Sequence, residues 1–204
     1  MKDYYEQLNA FVEDETREQT TSYFDKYWLN KEEYIEKWLP IQNKIFDSKA
    51  KYFPDMMFNS DFQLIALRGG LIFTEEDFAL LQNCMNQTGD KYFVIVQNCS
   101  EGNPHHEQPP LRFKYPANVS WDELMSGGLV SLELFQYPFK EYFVFGDTGT
   151  WGKYVANDYE NPLDIIGFKK NYSEVFKRNF EQLIEPEIIS EWLPDVYKQK
   201  LRMF

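Results

Sequence analysis

The chain has 204 residues, 43% of them apolar and 26% charged, which suits one folded unit with a proper hydrophobic core. Lys and Arg number 21 against 33 carboxylates, for a formal charge of -12. Phosphate backbones and anionic lipids are bound through Lys and Arg, so this balance sets the chain as a whole against nucleic acid and membrane surfaces and toward a basic protein partner. Aromatic residues make up 18% of the chain, so a modest number of elements can bury a large area.

The start, Met1-Lys-Asp-Tyr-Tyr-Glu-Gln, lacks the apolar run of a signal peptide, and no stretch reaches the roughly 18 apolar residues of a membrane span. Both features predict a cytoplasmic protein, in which the sequons at Asn86, Asn98, Asn118 and Asn171 carry no meaning. Cys84 and Cys99 form no CxxC pair and have no zinc-type spacing to histidine. Cys84 falls on an apolar helical stripe and is expected in the core, while Cys99 ends a strand.

Residues 1–58 read as a helical, polar segment. Leu8, Phe11 and Val12 give a short apolar face; a second helix opens at Asn30 with Glu33 placed as in a capping box, and Pro40 is expected to kink it. Strand character begins near residue 60 with Phe62-Gln-Leu-Ile-Ala-Leu-Arg, stopped at Gly69-Gly70. Thr74 caps a helix with the stripe Phe78, Leu81 and Met85, ending at Gly89, and Tyr92 to Gln97 is a buried strand. Residues 98–110 read as a polar loop, Leu111 to Tyr115 as a strand, and Ser120 as the cap of a short helix. Val130-Ser-Leu-Glu-Leu-Phe alternates with period two and predicts a strand. Three more strands follow at Tyr142, Lys153 and Leu163, then helices from Ser173 and from Glu187. Short connections between strands favour antiparallel pairing. The expected architecture is a single α+β domain over 1–204: a mainly antiparallel sheet in residues 60–204, with the helical segment 1–58 and the other helices packed on one side.

No nucleophile elbow, P-loop or calcium-loop pattern occurs, so no catalytic residue, metal ligand or cofactor is assigned. His105-His106-Glu107 reads as a solvated loop, because neighbouring extended side chains point apart. The informative stretch is Tyr142 to Tyr159, an apolar strand running into the turn Gly146-Asp-Thr-Gly-Thr-Trp-Gly152 and out along a second strand. A large ring at such a turn is expected at the surface as a binding anchor, or else folded back onto the sheet edge. Trp151 is the leading candidate, surrounded by Tyr154, Tyr159, Asp147, Asp158 and Glu160. Asp147 and Asp158, with Glu160 and Asp164, also raise the possibility of a paired-carboxylate site, although Asp147-Thr-Gly is ordinary turn chemistry.

Phe143-Val-Phe-Gly-Asp147 through Tyr154-Val-Ala, about a quarter of the chain with its flanking helices, resembles the SUKH superfamily. Members of that superfamily are small acidic α+β proteins, many of them bacterial immunity proteins that neutralise toxins. The resemblance implies a turn at Gly146 and Asp147 and a toxin-neutralising role; with the acidity and the lack of a catalytic motif, the expectation is a non-enzymatic binding protein, an immunity-type inhibitor of a basic toxin. Two other readings stand beside it: a carboxylate-based or metal-assisted hydrolase using Asp147 and Asp158, and a structural, oligomer-forming subunit.

Overall fold

The computed structural model describes residues 8–9, 11, 16–99, 110–136, 140–156, 163–185 and 191–201. Six strands form one antiparallel sheet: β1 (Phe62–Arg68), β2 (Tyr92–Gln97), β3 (Arg112–Pro116), β4 (Tyr142–Gly146), β5 (Trp151–Ala156) and β6 (Leu163–Lys169), in the spatial order β1-β6-β5-β4-β2-β3. The helices are α1 (Arg17–Tyr27), α2 (Lys31–Glu33), α3 (Leu39–Ile45), α4 (Glu75–Thr88), α5 (Trp121–Leu124), α6 (Leu129–Phe135), α7 (Ser173–Phe180) and α8 (Asp195–Leu201). The fold is α+β, as the strand and cap signals predict.

Both faces of the sheet are covered, not one. Ile65, Phe93, Ile95, Val144, Trp151, Val155 and Phe168 point into a core shared with α1, α4, α6 and α7. Leu64, Val94, Phe143, Phe145, Tyr154 and Ile165 point into a second core, closed by Leu29, Trp38, Ile45, Phe46, Phe58, Leu193 and Tyr197. The physical reason is written in the strands. Runs such as Tyr92-Phe-Val-Ile-Val and Tyr142-Phe-Val-Phe are apolar at every position, and a strand with one wet face would alternate. The chain moves from one face to the other around the β3 edge: α1 lies on the first face, Leu29 donates its N–H to Arg112 O at 3.0 Å, and α2 and α3 continue on the second.

Local signals decide most boundaries. Asn30 Oδ1 accepts from Glu33 N at 2.8 Å, and Thr74 and Asp77 form a reciprocal capping box at the start of α4. Between α2 and α3 the helix widens into a π turn, Tyr34–Trp38, immediately before Pro40, whose missing N–H disturbs the regular ladder. Residues 130–135 are helical, correcting the strand expected there. Val130, Ser131, Leu134 and Phe135 are buried, a helical spacing that the apparent alternation conceals, and Ser131 Oγ donates to Leu124 O at 2.6 Å. Cys84 is in the core as expected, and Cys99 is half-buried. Among the described residues no helix is long and apolar enough to cross a membrane.

Candidate functional site

The β4–β5 turn is organised by a residue far away in sequence. Asp90, between the Gly89 terminus of α4 and the start of β2, places its carboxylate under the turn. Oδ1 accepts from Thr148 N at 2.9 Å and from Thr148 Oγ1 at 2.7 Å; Oδ2 accepts from Trp151 Nε1 at 2.7 Å and from the Thr88 hydroxyl. Gly146 is required for this approach, since a Cβ there would collide with the Asp90 carboxylate. Asp147 completes the arrangement: its N–H donates to Tyr92 O and its Oδ1 accepts from Lys91 N, each at 3.0 Å.

Trp151 is therefore not a surface anchor. Its ring is fully buried, its N–H is spent on Asp90, and it lies in van der Waals range of Phe176 on α7, with ring centroids 6.3 Å apart. A buried indole requires a partner for its N–H, and Asp90 supplies it. The ring folds back as the second of the two expectations has it, but within the interior of the sheet, because β5 has neighbours on both sides. Tyr154 is buried as well, on the opposite face of β5, so the structure does not bring these two rings together. Asp158, Tyr159 and Glu160 lie outside the described residues, as do His105, His106 and Glu107.

The far end of the sheet holds two buried carboxyl groups. Asp164 faces Val155 across the β5–β6 ladder and forms an ion pair with Lys153 at 2.7 Å, both side chains 2% exposed. Lys153 Nζ also donates to Ile72 O at 2.7 Å, and Asp164 Oδ1 accepts from Gly70 N at 3.1 Å, so the pair fastens the loop after β1. Burial raises the Asp164 carboxyl above its ordinary range, against the opposing pull of Lys153 and of the Gly70 N–H. Asp164 is four strand residues along from the register of Trp151, about 13 Å at strand rise, so it does not join Asp147 in a two-carboxylate site. The second group, Glu141, accepts from the Tyr154 hydroxyl and from Asn98 Nδ2 at 3.2 Å. Its carboxyl is also raised, by burial first, with the Tyr154, Phe53 and Asn98 hydrogen bonds pulling it down and Asp55 pushing it up.

A different surface combines a half-buried aromatic ring with an excess of acidic residues. Trp121, the first residue of α5, rests half-buried on Phe78 and Phe135, at ring distances of 6.1 and 5.9 Å. Contact with Phe78 brings the starts of α4 and α5 together, and Gln82 Nε2 reinforces it by donating to Ala117 O at 3.0 Å and Val119 O at 2.8 Å. Glu75, Glu76 and Asp77 open α4, Asp122 and Glu123 follow Trp121 in α5, and α4, α5 and α6 contain no Lys or Arg. Glu123 pairs with Lys26 of α1. On the opposite face α2, the π turn, α3 and α8 carry Lys31, Lys37, Lys44, Lys198 and Lys200 beside their carboxylates; on the near face α1 carries Arg17 and Lys26 and α7 carries Lys177 and Arg178, so the stretch without cations is that of α4, α5 and α6. Sequence reasoning passed over this patch because capping explains each acidic residue singly; only the Phe78–Trp121 contact joins the two helix starts.

Among the described residues no group of three or more His, Cys, Asp or Glu is placed to hold a metal ion. Comparison of the chain with protein-family models, with curated proteins and with solved structures found no match in any of the three.

Proposed function

We propose that the protein is a non-enzymatic binding protein of the immunity type, acting on a basic protein such as a cationic toxin. The observation that carries this reading is the half-buried Trp121 packed on Phe78, where α4 and α5, both opening on carboxylates and both without Lys or Arg, meet. Aromatic anchors inside a charged rim are the usual energetic centre of an interface, and an acidic rim speeds encounter with a cationic partner. The described carboxylates near the β4–β5 turn support the same class, because Asp90 spends both oxygens on donors that include Thr148 and Trp151, and Asp147 spends its Oδ1 on Lys91 N.

The test is affinity capture from a lysate of the source organism, identification of the retained protein, and titration of the purified pair at two salt concentrations. A basic partner is expected whose affinity falls with salt, by at least about tenfold on Asp122→Lys or Glu76→Lys, and by about 2 kcal/mol on Trp121→Ala. A partner that binds equally well to all three variants would remove the interface from this surface, and the lack of any specific partner would remove the binding reading itself.

A further inference from the structure

Glu141 joins parts of the chain that are distant in sequence. Oε2 accepts from the Tyr154 hydroxyl of β5 and from Asn98 Nδ2 after β2, and Oε1 accepts from Phe53 N at 3.3 Å. Asn98 Nδ2 also reaches Lys51 O at 2.8 Å and Tyr154 Oη at 2.9 Å. Both contacts with residues 51 and 53 hold the same segment against the end of the sheet.

That segment in turn carries the C-terminal helix. The Tyr197 hydroxyl of α8 donates to Asp55 O and accepts from Met57 N at 3.0 Å, Lys200 Nζ donates to Asn59 O at 2.9 Å, and the Phe53 and Tyr197 rings stack at 5.9 Å. Contacts therefore run in series, from Glu141 to residues 51–53, on to 55–59, and from there to α8.

The groups that face Glu141 are Tyr154 from β5, Asn98 from the end of β2, the Phe53 N–H and Asp55 from the segment, and Tyr197 from α8. None is a cation. Among the described residues the hydrogen bonds to Glu141 come from neutral donors, with the Asp55 charge opposing its ionisation, whereas Asp164 has Lys153. Ionisation in place is costly, and the way to relieve it is to admit water by lifting the segment.

We infer that Glu141 is a proton-dependent latch, which fastens residues 51–59 and α8 to the sheet when protonated and loosens them when ionised. Its folded carboxyl lies above the ordinary 4.5, so the latch contributes fully below that value and its contribution is lost as pH rises through the raised one.

Hydrogen exchange of peptides covering 51–59 and 195–201, corrected for intrinsic rates, reads the latch directly. In the wild type, protection of both peptides falls together by at least about tenfold between about pH 5 and about pH 8, while β2 and β4 keep theirs. Glu141→Gln cannot ionise and holds its protection across the range. Tyr154→Phe deletes a hydrogen bond that favours the charged form, and moves the transition to higher pH. Equal pH-dependent loss in wild type and Glu141→Gln, or constant protection in the wild type, overturns the inference. Should Glu141→Gln fail to fold, the Tyr154→Phe transition decides: an upward shift supports the latch, and an unmoved midpoint rejects it.

Discussion

The two ends of the sheet use the same residue type to opposite effect. At the turn end, Asp90 accepts hydrogen bonds from neutral N–H and O–H donors of Thr88, Thr148 and Trp151. At the far end Asp164 is carried deeper, and burial raises the carboxyl groups of both Glu141 and Asp164. At the turn end a buried carboxylate brackets the chain through four converging donors, and at the far end burial outweighs the partners of Glu141 and Asp164.

Substitutions separate these roles by size. Lys153→Ala has the largest expected effect, about 4 kcal/mol in urea unfolding, because it leaves Asp164 buried without its cation. Replacing the pair jointly, Lys153→Met with Asp164→Leu, is expected to restore most of that loss, since two buried charges and their desolvation go together. Asp90→Ala follows at about 3 kcal/mol, with the Trp151 N–H and the Thr148 N–H left unsatisfied. Gly146→Ala costs about 2 kcal/mol by pushing the turn off Asp90. Asp147→Ala, which removes one hydrogen bond to Lys91 N at the rim of the turn, costs about 1 kcal/mol. Were Asp147→Ala to match Asp90→Ala, the turn would depend on its own sequence and not on the residue beneath it.

Much of the architecture was legible in residue order. Thr74 with Asp77, Asn30 with Glu33, and the apolar run Tyr92 to Gln97 mark elements through local chemistry, and local chemistry is what a single sequence displays. Where the reading failed, the deciding contact was remote. The Val130–Phe135 segment fits a strand or a helix equally until Ser131 is seen bonded to Leu124 O. The helices on both faces were announced by unalternated strands, a signal open to reading in advance. Trp151 looked exposed because Gly and Thr flank it, yet its fate is set by Asp90, which lies 61 residues earlier at a helix end of no special pattern. Nor does any spacing in the chain connect Trp121 to Phe78, and the acidic surface depends on that contact.

The decisive measurement is a double-mutant cycle on the turn, with Asp90→Ala, Trp151→Phe and the combination compared by urea unfolding. A bracket made by Asp90 and Trp151 requires the two losses to overlap, with a coupling of about 1 kcal/mol or more. Strictly additive losses would mean that the indole and the carboxylate act independently, and that the turn is held by something other than Asp90.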